Sequence, residues 1–372
     1  MRVAFDLDAV ATNRFSGLYT YGSGLLKGFG KLADRPEMAM VYSKHLEQEA
    51  HRLEGGYFGS TKPTPIRTRW LENIWRFSSF PSLQWLIGDF DIYHCLHHLM
   101  PPTVCKPRIL TVHDLRRYKL PELYEKSKLW RFELAVKRAD HFISVSQSTK
   151  NDLCGIFGIP QNKVDVTYLA ADEHLSPLSE DDKSRLKVRL AEQVKTSLDR
   201  FVITISSSDT RKNTERTVRA FNMVAKQLPK GTKMVVAGIP PKNFGGRNQK
   251  GTYPNEDVIW TGPVDNLAEW LSCADVMVYA SLYEGFGIPI LEAFACGVPV
   301  ITSNCSSMPE VAGDAAMLVD PYDEQAIGQA IVDVCNDAQR RARMTEAGLQ
   351  RNRLFTWEKT ASQTLEVYER LI

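Results

Sequence analysis

Two stretches of this chain hold side chains whose types and spacing could do chemistry. The first is the opening, MRVAFDLDAV, in which an apolar run leads into Asp6, Asp8 and Val10. An aspartate pair spelled D-x-D-x-V after a strand is how a metal-dependent phosphatase presents an aspartyl nucleophile. The second is YASLYEGFGIPILEAFACGVPVIT, where an apolar strand over Val276 to Ala280 runs into Glu284-Gly285-Phe286-Gly287. Pro289 suits the first turn of a helix, where its missing N–H is not needed, and Gly297 and Pro299 mark that helix's end. Glycines at a helix start let backbone N–H groups approach an anion, and the helix dipole favours negative charge there. The stretch therefore reads as a pyrophosphate cradle. Glu284 before it and Glu292, about one turn into the helix, suit a different role, because a carboxylate grips vicinal hydroxyls. A nucleotide-sugar carries such hydroxyls on both sides of its pyrophosphate, one set for each acid.

Groups of this kind need strands that end at a common edge. RVAFDL, FDIYHCL, RILTVHD and HFISVS read as strands in the first half, which VDVTYLA closes; RFVITIS, KMVVAGI, DVIWTG, DVMVYAS and VPVITS do so in the second. Between them lie amphipathic stretches such as PELYEKSKLWRFELAVKRA, NTERTVRAFNMVAKQL and NLAEWLSCA. Strands alternating with helices predict parallel α/β sheets. Two such halves predict two doubly wound, Rossmann-like domains facing a cleft, with ligands at the carboxyl ends of the strands. The polar stretch DEHLSPLSEDDKSRLK, with Pro177, sets the expected boundary: 1–176, then 177–355. FTWEKTASQTLEVYERLI predicts a terminal helix over 356–372.

Bulk properties narrow the field. At 372 residues the prior is two domains, and 43% hydrophobic with 24% charged residues is ordinary for a globular protein. A net charge of +2 argues against a dedicated nucleic-acid binder. Seven cysteines, an odd number without repeating spacing, fit a reducing cytoplasm. There is no signal-peptide pattern and no apolar run of membrane-spanning length.

A phosphatase using Asp6 and Asp8 also needs a Ser or Thr at a strand end, a Lys and a late acidic pair. Thr204 or Ser206 offers the first; Gly313, Asp314 and Asp320 offer the last, but with five residues between the aspartates. The competing reading is that Asp6 and Asp8 end a strand as turn residues, and it is preferred here. A non-catalytic protein on a transferase-like scaffold is the other alternative, and an intact set of site residues argues against it.

EGFGIPILE, followed by EAFACGVPVI and PEVAGDAA, resembles family-four retaining glycosyltransferases of the GT-B fold. The likeness continues through SGLYTY, TVHDL, DHFISVSQSTKNDLCGIFGIPQNKVDV, TRKN and FTWEKTASQTLEVYERL, in order along nearly the whole chain. It implies that Glu284, with Gly285, Phe286, Gly287 and Ile288, holds the donor sugar. By the same likeness Glu292 holds the ribose, and Arg211 and Lys212 neutralise the diphosphate. Gly17 would let a first-domain loop approach the diphosphate, Val264 would lie on the donor-binding side, and His113 would stand near the reaction centre across the cleft. The terminal helix would cross back to the first domain. The family implies no cofactor beyond the nucleotide-sugar donor, no catalytic metal, and a glycan or lipid-linked glycan as acceptor. The RKN and EGFGIP spelling resembles mannosyltransferases of bacterial polysaccharide assembly, with GDP-mannose as the implied donor. Two departures stand out. Ser206 occupies a position where relatives often carry Gly or Arg, and Ala170-Ala171 replaces the usual Asn-Gly.

His94, His97 and His98 cluster without a matching Cys or acidic set at ligand spacing, so they read as a strand end and loop. IRTRWLENIWRFSSFPSLQWLI interleaves Arg67, Arg69 and Arg76 with Trp70, Trp75, Phe77 and Trp85. Arg116, Arg117, Lys119, Lys126, Lys128, Arg131, Lys137 and Arg138 add positive charge. Two readings stand side by side: a surface for peripheral association with the inner face of the cytoplasmic membrane, or an amphipathic helix with a core-facing Trp stripe.

Overall fold

A computed structural model of the chain describes residues 1–12, 16–54, 61–64, 68–97, 100–105, 107–125, 129–241 and 255–372. It comprises two compact units, Met1–Ala170 with Phe355–Ile372, and Ala171–Leu354. Each is built on one parallel sheet, as alternating strands and helices require. The first sheet holds β1 (Arg2–Asp6), β2 (Glu37–Ser43), β3 (Thr61–Thr64), β4 (Ile92–Cys95), β5 (Arg108–Val112), β6 (His141–Ser144) and β7 (Val164–Val166). Its order is β3-β2-β1-β4-β5-β6-β7. The second holds β8 (Arg200–Ser206), β9 (Thr232–Gly238), β10 (Val258–Gly262), β11 (Val276–Tyr279), β12 (Val300–Ser303) and β13 (Met317–Val319), in the order β10-β9-β8-β11-β12-β13. Both are doubly wound.

Strands covered on both faces read as continuous apolar runs. On one face of the second sheet Val202, Val236, Val278 and Ile301 pack with Val218, Phe221, Ile327 and Ile331 from the helices Thr214–Val224 and Glu324–Asn336. Each such side chain contributes about 1.5–3 kcal/mol on burial. The first sheet does the same with Ala4, Tyr93, Leu110 and Phe142 against Ala135, Val136 and Leu153.

The terminal helix, Trp357–Leu371, packs within the first unit on the helix Gly17–Lys31. Gly24 and Gly28, one turn apart, make the groove it fills. A Cβ on Gly24 would lie 2.2 Å from the Trp357 ring, and one on Gly28 would lie 2.1 Å from the Trp357 carbonyl oxygen. Phe29 and Tyr368 stack farther along, at 6.1 Å between centroids. The chain leaves the first unit after Ala170, ahead of the 176/177 boundary read from the polar stretch. Pro177 lies against the second unit, where a Cβ on Gly297 would come within 3.3 Å of its ring.

Each sheet reverses its strand order once, between β1 and β4 and between β8 and β11. Loops leaving the carboxyl ends on either side of such a point diverge and open a crevice. Among the described residues no helix is long and apolar enough to cross a membrane.

Candidate active site at the switch point of the second sheet

The loops after β8 and β11 flank the second sheet's switch point, and they carry Arg211, Lys212 and Glu284. β8 ends at buried Ser206, whose hydroxyl donates to the Ile239 carbonyl at 2.7 Å and lies 3.1 Å from Thr214 Oγ1. That hydroxyl is occupied within the sheet edge. Asp209 then caps the short turn Thr210–Lys212, accepting from the Arg211 backbone N–H at 3.2 Å and its Nε at 3.1 Å. Asn213 follows in the left-handed region, φ 58°. Its side-chain amide donates to the Ala280 and Pro321 carbonyls at 2.9 and 2.7 Å, stitching together the loops after β8, β11 and β13.

So held, the basic pair closes on Glu284. Arg211 Nη1 lies 2.5 Å from Oε2, and Lys212 Nζ lies 2.8 Å from Oε1. The Tyr279 hydroxyl donates to the same Oε1 at 2.7 Å and accepts from Lys212 Nζ. Arg211 also donates to the Tyr283 carbonyl at 2.8 Å. The backbone of Glu284 is clasped by the loop after β12. Ser306 Oγ accepts from its N–H at 2.9 Å and donates toward its carbonyl at 2.7 Å, and Ser307 Oγ reaches the Glu284 and Phe286 carbonyls at 2.9 and 2.7 Å. Gly287 turns the chain into the helix Ile288–Ala295 at φ 104°, a conformation glycine adopts without strain. No side chain caps that helix start, and Pro289 sits in its first turn.

Cations at a turn feeding a helix need an anion nearby, and the chain supplies Glu284 and Asp209. Burial alone would raise the Glu284 carboxyl, but Arg211 and Lys212 outweigh it and hold the group well below the usual carboxylate range. Burial pulls Lys212 down, with Glu284 opposing. The Glu284 carboxylate is therefore held ionised between Arg211 and Lys212. Glu292 is different. Half-buried on the helix, it is pushed up to about 7 by burial, with Asp172 adding and Lys212 opposing.

Arg211, Lys212, Glu284, Gly285, Phe286, Gly287, Ile288 and Glu292 thus lie together along two loops and one helix. Val264 is on the loop after β10, at the same carboxyl edge of the sheet. Gly17 and His113 belong to the first unit. Gly17 starts the helix Gly17–Lys31 next to its cap Ser16, and a Cβ there would meet nothing within 4 Å. His113 follows β5 and donates from Nε2 to the Leu96 carbonyl at 2.7 Å, which leaves Nδ1 as an acceptor. Burial brings the ring down to about 4, against the Leu96 carbonyl and Asp114, so it is neutral at pH 7. Asp209, Tyr279, Asn213, Ser306 and Ser307 were missed from the sequence. A tyrosine in the aliphatic run VMVYA and the polar run SNCSS after a strand were the available signals.

Asp6 and Asp8 act as turn residues. Asp6 Oδ1 accepts from the Asp8 N–H at 3.0 Å, and Asp8 accepts from Ser43, at 2.5 Å from its N–H and 2.8 Å from its hydroxyl. Thr204, Ser206, Asp314 and Asp320 belong to the other unit, so the phosphatase set is divided between two sheets. His94 stands at the end of β4, as its strand-end reading expects, and is fully buried, 2.5 Å from the Tyr368 hydroxyl and 2.7 Å from Thr111 Oγ1. Among the described residues no group of His, Cys, Asp and Glu is arranged to hold a metal ion. The aromatic stretch splits between its two readings. Trp75 is buried and donates to the Pro81 carbonyl at 2.8 Å, whereas Phe77, Phe80 and Trp85 are exposed. Arg138 is half-buried and donates to the carbonyls of Met100 and Trp75, so it is a structural cation. Arg67, His98, Lys126 and Lys128, and the side chains of Arg69 and Trp70, lie outside the described residues.

Residues 189–351 match the family model described as glycosyl transferases group 1, and residues 36–175 match glycosyltransferase family 4. The chain is a glycosyltransferase, its two halves matching these two family models. This transferase is 28% identical over 309 residues to O-antigen chain mannosyltransferase B of Escherichia coli, covering 77% of each chain. To the serotype-specific mannosyltransferase WbdA of Escherichia coli it is 26% identical over 284 residues, 75% of this chain and only 33% of that longer one. The crystal structure of Anabaena Alr3699/HepE in complex with UDP and glucose superposes with a TM-score of 0.70 over all of both chains at 16% identity. The GT-B architecture expected of the transferase is thereby shown.

Proposed function

We propose that the transferase moves a mannosyl group from a nucleotide-diphosphate sugar, GDP-mannose first, to a hydroxyl of a glycan or lipid-linked glycan in bacterial polysaccharide assembly, with retention of configuration. The observation that carries this reading is the buried Arg211–Lys212–Glu284 cluster at the switch point, beside an uncapped helix start. Arg211 and Lys212 take the diphosphate by charge-assisted contacts, do the work a divalent metal does elsewhere, and stabilise the charge that develops on departure. Glu284 holds the sugar's hydroxyls and Glu292 the ribose. His113, neutral with Nδ1 as an acceptor, serves the acceptor-binding unit. The names of the two Escherichia coli relatives support mannose and a polysaccharide product.

Retention without a covalent intermediate suits a Glu284 carboxylate whose oxygens are already held by Arg211, Lys212 and Tyr279. In that step the sugar–phosphate C–O bond breaks, the acceptor oxygen bonds the anomeric carbon from the same face, and its proton passes to the departing phosphate. Exposed Phe77, Phe80 and Trp85, with Arg76 stacked 5.1 Å over Phe77, favour peripheral attachment to an anionic membrane from the cytoplasmic side.

A thermal-shift screen of UDP, GDP, ADP and their sugars tests this reading. GDP and GDP-mannose should raise the melting temperature. Stabilisation by uridine compounds alone would overturn mannose, and stabilisation by no diphosphate would overturn the donor site.

A further inference from the structure

Tyr279, the last residue of β11, is 2% exposed and so far serves only as one holder of the Glu284 carboxylate. Its phenol stands between Lys212 and Glu284. The O–H donates to Glu284 Oε1 at 2.7 Å, the oxygen accepts from Lys212 Nζ, and Nζ sits 4.5 Å over the ring centroid. Lys212 also donates to Oε1 directly, at 2.8 Å. A lysine paired so tightly with a buried carboxylate is a poor phosphate ligand unless it can leave without stranding that carboxylate. Burial, and then Glu284, push the phenol well above its ordinary range, so it keeps its proton and stays a donor.

We propose that Tyr279 is a positioning residue that releases Lys212 to the donor's diphosphate. When Lys212 Nζ turns to a phosphate oxygen, the Tyr279 O–H remains on Glu284 Oε1 and Arg211 remains on Oε2. The carboxylate then stays fixed and partnered for the sugar, and no bond is made or broken in the exchange. This rests on the reading of Arg211 and Lys212 as a diphosphate site.

The test is Tyr279→Phe in the full chain, which keeps the ring and removes only the hydroxyl. Titration calorimetry would use GDP with guanosine, and UDP with uridine and ADP with adenosine as parallel pairs. Without the phenol the Lys212–Glu284 pair has no competitor and holds Lys212 back. Affinity for the diphosphate should fall about tenfold, as for a hydrogen bond to a charged group, while affinity for the nucleoside holds. In a Lys212→Met background the same change should leave the diphosphate-to-nucleoside ratio where it was. Equal losses for diphosphate and nucleoside, or no loss for either, would overturn the proposal while leaving a diphosphate site standing. If the wild-type chain binds none of the diphosphates, the site and the proposal fall together. Should Tyr279→Phe alone not fold, the pair is read in a Glu284→Gln background, where Tyr279→Phe should cost no further diphosphate affinity. A further loss there would count against it.

Discussion

The two sheets place polar groups near the carboxyl ends of their strands in opposite electrical styles. In the second unit the cluster is charged: Arg211 and Lys212 bury themselves around Glu284, with Asp209 completing the set. In the first unit the network is neutral. Tyr368, His94, Thr111 and Tyr21 form a hydrogen-bonded chain inside the fold, and the Tyr21 ring packs edge-on against His113 at 4.8 Å. Burial pulls His94 down to about 3, with His113 adding, so it carries no charge at pH 7. Charges taken out of water persist only when partnered, and they oppose change at one member strongly. Neutral networks ask only that donors meet acceptors. On the proposed reading, the unit that binds a dianion would gain from stored cations, whereas the one that receives a sugar hydroxyl would need shape and neutral acceptors.

The contrast breaks first at Lys212. Lys212→Met leaves Glu284 with Tyr279 on Oε1 and Arg211 on Oε2, so the cost is about 3 kcal/mol, the low end for breaking a buried ion pair. Replacing both members, Lys212→Met with Glu284→Leu, should recover much of that stability while diphosphate binding stays lost. Urea unfolding of the single and double variants checks the pattern. A double variant less stable than the single one would mean that the cluster is not a charge-balanced unit.

A smaller effect is expected at His94. His94→Leu strands the Tyr368 hydroxyl but leaves Thr111 its contact with Tyr21, a penalty of about 1–3 kcal/mol. There is a pH signature as well. His94 lies below its ordinary 6.5, so between about 3 and 6.5 the unfolded chain binds the extra proton. Stability from this group is therefore complete above 6.5 and is lost as pH falls. The Leu variant should show a shallower acid decline and unaltered nucleotide affinity. A loss as large as that of Lys212→Met would erase the distinction between the two units.

How far the sequence reaches follows the same division. Strands β1, β4, β5 and β6 and β8 to β12 are legible because parallel strands buried on both faces are apolar runs ended by Gly, Pro or polar residues. The helix Ile288–Ala295 is legible from Pro289 and Gly297. Glu284, Arg211 and Lys212 can be picked out because charges beside glycines and apolar strands are conspicuous. Their mutual pairing cannot, since 72 residues separate Lys212 from Glu284 and only the strand order brings β8 next to β11. The partner of His94 is hidden for a related reason. That partner, Tyr368, is 274 residues away on the terminal helix, so the sequence offers only a histidine among histidines. Ser306 and Ser307 look like any loop serines until the loop after β12 is seen clasping the backbone of Glu284.

The finest test of the contrast is Glu292, a lone acid in the charged unit. Its pKa is raised from 4.5 to about 7, so between those values the folded chain holds a proton that the unfolded chain has released. Stability from this group is thus lost as pH rises from about 4.5 to 7 and is level above, opposite in sign to His94. Glu292→Gln should remove that slope, and thermal unfolding at pH 5 and pH 8 reads the difference. A carboxylate that accepts from two ribose hydroxyls does so fully only once ionised, whereas the glutamine amide does not titrate. The loss of nucleotide affinity in Glu292→Gln should therefore be modest at pH 6 and larger at pH 8. Since the phosphate groups of the ligand titrate identically in both proteins, the comparison cancels them. If the gap between wild type and variant is the same at both pH values, Glu292 does not hold the ribose as a carboxylate, and its raised pKa reflects burial beside Asp172 alone.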